Sequence, residues 1–298
     1  MLVNSNQNMT NTKLKFPAIG TQWQIDLYQD YFSPDLVDLI KQTIKNFEST
    51  YSRFIDSSLV SQMSRQSGDY VLDKDGIAMI EMYLKLNSIT SGAFSPTIGQ
   101  LLNQSGYDSQ YSFKSNQMTP MPLMDKILKF SPPNILTVLN PCQLDFGGIG
   151  KGYLIDVISN LIFHSGLKSY CIDAGGDMYY RHQDKNPLQV GLENPLDFNQ
   201  VIGTIPIINQ ALAASSGNRR TWGKFHHIID PQSLTSPNHI LATWVISDQT
   251  IIADALATCL FLVTPQKLTP HFDFNYMILY SDLTFAQSPG FNAEIFIE

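Results

Sequence analysis

Along the first ninety residues the apolar side chains change their spacing several times, and each spacing names an element. In TQWQIDLY, Trp23, Ile25 and Leu27 alternate with Gln22, Gln24 and Asp26, the two-residue period of a strand with one buried face. SPDLVDLIKQTIKNF shifts to helical spacing. Leu36, Leu39, Ile40, Thr43, Ile44 and Phe47 form one stripe, Ser33 can cap the first turn, and Pro34 suits the position after it. The polar stretch STYSRFIDSSLVSQMSRQSGDY holds scattered Phe54, Leu59 and Met63, which predicts an irregular segment docked on the core. DKDGIAMIEMYLKLNSIT predicts a second helix; its DKDG opening is a fragment of a calcium-binding loop and reads as a turn.

Farther along, KSNQMTPMPLM and KFSPPNIL predict loops around a short helix, and ILTVL with CQLDF predicts a hairpin. Residues 152–163 predict a helix with Tyr153, Leu154, Val157, Ile158, Leu161 and Ile162 inward, ending near Gly166. SYCIDAGG, LQVGL, VIGTIPI and ATWVIS predict strands, the last leading into a helix over IADALATCLFLV. YMILYS, LTFAQS and AEIFIE predict short strands at the end. Strands mixed with helices, without a regular βαβ rhythm, predict an α+β fold. No internal repeat or linker interrupts residues 13–298, which are expected to form one domain after a mobile polar tail over 1–12.

Composition narrows the classes. The chain has 298 residues, 43% hydrophobic and 15% charged, enough for a sizeable core. A net charge of -7 argues against nucleic acid as a partner, because duplex binding needs a basic face. Cys142, Cys171 and Cys259 are scattered, which predicts reduced, buried thiols and no zinc site. No segment has the ~18 uninterrupted apolar residues of a membrane span. The polar N-terminus, without a signal pattern or lipid-bearing cysteine, predicts a cytoplasmic location; a preceding leader would make it periplasmic or membrane-associated.

Three stretches carry candidate chemistry. LDFGGIGKGYLID, residues 144–156, is glycine-rich but fits no common phosphate loop. Asp145 stands where the first glycine of a Walker A loop belongs, and Gly152 where its hydroxyl belongs. DFG appears without a kinase catalytic loop, and GxGxxG is absent from the stretch. Two readings remain: a tight strand-to-helix turn, or an anion site at a helix start reinforced by Lys151. In IIADALATCLF, Asp254 and Thr258 lie one helical turn apart, hard oxygen donors suited to Mg²⁺ or Ca²⁺. The bland alternative is a helix cap and a hydroxyl bonded back to a carbonyl. In ALAASSGNRRTWGKFHHIIDP, small residues 213–217 permit close backbone approach and Arg219, Arg220 and Lys224 supply charge. His226 and His227 on a strand would face opposite sides, so at most one reaches a cleft.

Taken in order, these blocks resemble the ApbE-type flavin transferases (FAD:protein FMN transferases). FPAIGT at 16–21 matches F-x-M-G-T with Ile19 for methionine, SLVSQMS at 58–64 matches S-x-I-S-x-L-N with Ser64 for asparagine, and GAFSPT matches G-x-F-D-P-T with Ser95 for aspartate. DFGGIGKGY, DAGGD, GLENP, SSG, HIIDP and ADALAT follow the family pattern without such changes. The resemblance implies an ApbE-like, T-fold-related α+β fold, with mixed and antiparallel sheets packed with helices around a central FAD cleft. It implies Mg²⁺ held by Asp254, Thr258 and the Gly148 carbonyl. It implies FAD contacts at Ile19, Phe54, Ala93, Phe94, Ser95, Asp145, Lys151 and Ile229, with Ser64 bearing on a polar contact. His227 is implied as proton acceptor, with Asp254 and Lys151 beside it in catalysis. The expected reaction moves FMN from FAD to a threonine hydroxyl of an acceptor flavoprotein and releases AMP. The alternatives are an Mg²⁺-dependent FAD pyrophosphatase yielding FMN and AMP, and a non-catalytic FAD-binding protein.

Overall fold

The computed structural model describes residues 11–296. In chain order come β1 (Asn11–Ala18), β2 (Thr21–Tyr28), α1 (Pro34–Tyr51), α2 (Leu59–Met63), β3 (Gly68–Val71), α3 (Lys74–Ile89), α4 (Gly99–Ser105), β4 (Leu128–Ser131), β5 (Ile135–Val138) and α5 (Gly150–His164). Then follow β6 (Tyr170–Ala174), β7 (Met178–Arg181), β8 (Leu188–Asn194), β9 (Asp197–Ile207), β10 (Ala211–Ser216), β11 (Thr221–Trp222) and β12 (Phe225–His226). The chain closes with β13 (Ile240–Ser247), α6 (Thr250–Cys259), α7 (Pro265–Leu268), β14 (Asn275–Tyr280), β15 (Phe285–Gln287) and β16 (Glu294–Ile295).

Eight strands form the central sheet in the order β1-β2-β6-β7-β10-β13-β14-β15. Its inner strands β6, β7, β10, β13 and β14 alternate between two apolar layers, the two-sided burial expected of a sheet covered on both faces. In β13, Val245 joins the core beneath the helices, while Trp244 and Ile246 face the second core beneath the sheet β16-β9-β8. In β6, Ile172 and Cys171 divide the same way. A small third cluster joins Leu101 and Leu102 of α4 to Trp222, Phe225 and Ile229 around the β11–β12 hairpin. The fold is α+β, and every strand pair among the described residues is antiparallel, so no parallel pair enters a sheet.

Several local expectations change. The first helix is capped by Ser33, whose hydroxyl accepts from Leu36 N, but its buried stripe is Leu36, Ile40, Ile44, Phe47 and Tyr51. Leu39 is 49% exposed, one position off that stripe. Asp26 is buried although it lies on the polar side of the alternation; Gln24 Nε2 donates to both its oxygens. The stretch expected to be irregular contains α2, capped by Ser58, and β3. The expected ILTVL–CQLDF hairpin does not form. Strand β5 pairs with β3 and β4, and the Pro132–Pro133 stretch expected as a loop is the turn between β4 and β5. The alternation of buried Cys142, Leu144 and Phe146 has another source: this segment docks into the core, with Asp145 N donating to Pro96 O at 2.7 Å. Helix α5 starts at Gly150, and its most buried side chains include Ile155 and Ser159 in place of Tyr153, Val157 and Leu161. Strand β1 begins at Asn11, inside the expected tail; residues 1–10 of that tail and the last two residues of AEIFIE lie outside the described residues.

Candidate functional site

Two helices that lack their own caps build the centre of the site. The first turn of a helix leaves N–H groups without intrahelical partners. Neither α5 nor α6 has a side chain at its N-cap that satisfies them. Each helix supplies the other. Asp254 of α6 accepts from Gly152 N at 2.9 Å, and Asp156 of α5 accepts from Thr250 N and Ile251 N, both at 2.9 Å. A carboxylate at a helix N-terminus also meets the positive end of its dipole. The arrangement needs close approach: a Cβ on Gly152 would lie 2.4 Å from Thr250 O and 2.7 Å from Asp254 Cβ. Asp254 therefore caps α5, not its own helix.

Lys151 stands beside this junction. Its Nζ is 2.9 Å from Asp177 Oδ2 and 3.2 Å from Asp254 Oδ1. Burial works against the ammonium, but the two carboxylates outweigh it and hold its pKa above the ordinary value. One lysine cannot neutralise two buried carboxylates. Burial, then Asp177, pushes Asp254 up to about 7 despite Lys151. Thr258 Oγ1 lies 3.4 Å from Ser215 Oγ on the adjoining β10. Surplus negative charge among hard oxygen donors fits Mg²⁺ and does not suit zinc. Gly148 lines the same cavity, and a Cβ there would come within 2.9 Å of the Phe94 ring.

An aromatic wall faces the carboxylates. Phe94 stacks on Tyr83 with ring centroids 5.1 Å apart, and Phe54 stacks on Tyr111 at 5.3 Å. Arg53 lies over the Phe54 ring at 4.3 Å and donates to Asp145 Oδ2 at 2.6 Å, Asn103 Oδ1 at 2.7 Å and Tyr107 O at 2.6 Å. The Asp145 carboxylate also accepts from Gly147 N at 2.6 Å, so it fixes the glycine turn and the arginine together. Ser95 caps a short turn by accepting from Thr97 N at 3.2 Å and contacts Thr97 Oγ1 at 2.8 Å. Ile19, in the β1–β2 turn, has a left-handed φ of 39°, unusual for a β-branched residue, and its N–H donates to Glu48 Oε1 at 3.1 Å.

The histidines separate as their spacing predicts. His226 is occupied: Ile228 N donates to its Nδ1 at 3.2 Å, which leaves Nε2 to donate to Pro237 O at 2.8 Å. His227 lines the cavity, and its buried Nδ1 has no hydrogen-bond partner. Burial, followed by the charge of Arg220 and, more weakly, Lys151, lowers its pKa to about 3, so the ring is neutral.

These groups surround one cavity of about 1110 Å³, and every residue assigned to the site from the sequence lines it. Ser64 does not line it; its hydroxyl bonds Ser61 O on α2. Arg53, Asp177, Tyr107 and Ser215 also line the site, and no residue pattern marks them as members of it. Asp177 lies in DAGGD, Ser215 in SSG, and Arg53 precedes Phe54, but nothing local says that their side chains converge. Arg219 and Arg220 of the charged stretch line the cavity, whereas Lys224 does not.

A large cleft that gathers a lysine between two buried carboxylates and a histidine without a partner on its buried nitrogen has the make-up of an enzyme active site. The model of the ApbE family matches residues 19–273, and the chain belongs to that family. FAD:protein FMN transferase of Buchnera aphidicola subsp. Schizaphis graminum is 24% identical over 89% of this chain and 84% of its own length. The Haemophilus influenzae FAD:protein FMN transferase is also 24% identical, over 82% of this chain and 76% of its own. Among solved structures, the ApbE protein of Thermotoga maritima superposes with a TM-score of 0.81 at 22% identity, covering 95% of this chain and 98% of its own. Flavin transferase ApbE of Vibrio cholerae gives 0.77 at 20% identity, with the same coverage. The fold is theirs, and the chain is a transferase.

Proposed function

We propose that the protein is an Mg²⁺-dependent FAD:protein FMN transferase, moving FMN from FAD to a threonine hydroxyl of an acceptor flavoprotein with release of AMP. The observation that carries this reading is His227, whose buried Nδ1 has no partner and whose ring lines the same cavity as the Lys151–Asp177–Asp254 cluster. Asp254, Thr258 and the Gly148 carbonyl would hold Mg²⁺, which supplies positive charge against the diphosphate. Lys151 holds Asp177 and Asp254 together and limits their repulsion. Phe54, Phe94, Ala93, Ile19 and Ile229 offer apolar surface to the rings of the dinucleotide, while Asp145 and Ser95 hold the turns beneath them. His227 accepts the proton of the attacking hydroxyl. Positioning and charge complementarity supply most of the acceleration, as in phosphoryl transfer generally.

The test incubates the protein with FAD, Mg²⁺ and an acceptor domain bearing an exposed threonine. Covalent flavin on the acceptor, read by mass and in-gel fluorescence, with an equal amount of AMP, is the expected result. Free FMN with AMP and no adduct would identify a pyrophosphatase, and intact FAD a storage protein. Replacing the threonine by alanine abolishes labelling. Asp254→Ala, or chelation of Mg²⁺, lowers kcat/KM by about 100-fold or more, roughly 2.7 kcal/mol of transition-state stabilisation; full activity in either case would sink the metal assignment.

A further inference from the structure

The cations that line the cleft are Arg53, Lys151, Arg219 and Arg220, and three of the four are already neutralised. Arg53 bonds Asp145 at 2.6 Å. Lys151 sits on Asp177 and Asp254 at 2.9 and 3.2 Å. Arg219 grips Glu193, its Nη2 2.7 Å from both carboxylate oxygens. Moving any of these onto a phosphate would strip a carboxylate of its partner, and for the buried Asp177 and Asp254 the loss is severe.

Arg220 differs. Among the described residues no carboxylate lies within ion-pairing distance of it. Its Nη1 donates to the Tyr107 hydroxyl at 3.2 Å and its Nη2 to Gly20 O at 3.3 Å, long bonds to neutral acceptors on two walls of the cleft. These bonds aim the guanidinium and are weak enough to be exchanged for a charged acceptor. Its charge reaches the base, being the largest influence after burial on the lowered pKa of His227.

We infer that Arg220 is the phosphate-binding cation of the cleft: its guanidinium takes the diphosphate of the substrate, while Lys151 stays on its two carboxylates. That the diphosphate belongs to FAD rests on the function proposed above; that Arg220 binds a diphosphate does not. In the transfer step the acceptor oxygen bonds to the FMN-side phosphorus, and the bond from that phosphorus to the bridging oxygen breaks. The electron pair leaves on the phosphate of AMP, and the hydroxyl proton goes to His227. Arg220 touches the diphosphate whose oxygens gain charge in this step, and its planar fork can hold two of them at once. A lysine at this position keeps the charge and loses the fork.

The test is calorimetric titration of the wild type, Arg220→Gln, Arg220→Lys and Lys224→Gln with FAD, riboflavin and inorganic pyrophosphate, without Mg²⁺. Arg220→Gln is expected to weaken FAD and pyrophosphate at least tenfold while leaving riboflavin, which has no phosphate, unchanged. Arg220→Lys should recover only part of the loss, and Lys224→Gln should match the wild type. Equal FAD and pyrophosphate affinity in wild type and Arg220→Gln, or an equal loss of riboflavin, would overturn the assignment, as would a wild type that binds neither anion. Should Arg220→Gln fail to fold, wild-type anion affinity in Arg220→Lys, together with undiminished turnover, would overturn it equally. Pyrophosphate binding that depends on Arg220, in a protein that ignores FAD, would sink the flavin reading and leave Arg220 in place.

Discussion

His227 gains its usefulness from what surrounds it, since its Nδ1 has no partner and its neighbours are cationic. An unfolded histidine titrates near 6.5, whereas this one is lowered to about 3 in the folded enzyme. Between those values the unfolded chain binds a proton that the folded chain does not. Its contribution to stability is therefore fully present above about pH 6.5 and falls as pH drops toward 3. Denaturant midpoints at pH 7, 5.5 and 4.5 should show wild type losing stability relative to His227→Gln as the pH falls; parallel lines would remove the buried neutral base. Residue types alone reveal part of this. The sequence allows one histidine of the pair in a cleft, and the structure selects His227. It reads Lys151 as a point charge at the start of a helix, and the structure adds the two carboxylates beside it, Asp177 and Asp254. At Ser95, where the family pattern has aspartate, the hydroxyl fills a capping role that an aspartate could also fill. Such partners are remote in sequence, and no spacing rule reaches them.

Helices α5 and α6 exchange caps, so the geometry at Asp254, the proposed metal ligand, depends on a residue outside the cavity. Asp156 lines no part of the cleft, but it fixes the start of α6, the helix that carries Asp254. Asp156→Asn keeps one acceptor oxygen and turns an amide toward the other N–H group, at a cost of about 1–2 kcal/mol. The melting temperature should fall, and the Mg²⁺ concentration giving half-maximal activity should rise, with kcat at saturating Mg²⁺ near that of wild type. An unchanged Mg²⁺ dependence would confine Asp156 to stability. Gly152→Ala acts on the same junction by force. Its Cβ would meet the Thr250 carbonyl, a backbone group that cannot swing aside, so the helices must separate. A loss of about 2–3 kcal/mol in a denaturant titration is expected. The two helices were readable from their apolar periods, and the glycine run announced a tight turn. The exchange of caps was not readable, because each carboxylate lies about a hundred residues from the N–H groups it serves. The failed hairpin has a related cause: Cys142, Leu144 and Phe146 alternate because they enter the core past Pro96, and a strand gives the same pattern.

Across the described residues, the central sheet separates a core with several fully buried side chains in the cleft lining from one that meets the cleft only through the partly buried Ala214. Most strands could be recognised one at a time. Their order could not, since β2 lies beside β6 and β10 beside both β7 and β13, pairings that only the finished packing selects. That order sets which mutations reach the site. Phe94 belongs to the core beneath the helices and also lines the cleft, stacked on Tyr83 and touching the turn at Gly148. Ile205 of β9 is 1% exposed in the core on the opposite face and lines no part of the cleft. Both truncations remove well-packed apolar volume, so Phe94→Ala should cost about 3–5 kcal/mol and Ile205→Ala about 2–5 kcal/mol. Their effects on FAD should diverge. Phe94→Ala should weaken FAD binding at least tenfold at a temperature where the variant is fully folded, because the stacked wall and its support for the glycine turn go together. Ile205→Ala should leave FAD affinity and kcat within twofold of wild type at such a temperature. The comparison needs only melting curves and flavin titrations on the two variants. Loss of FAD binding in Ile205→Ala would mean that the sheet transmits strain from one face to the other, and that the two cores do not divide stability from function.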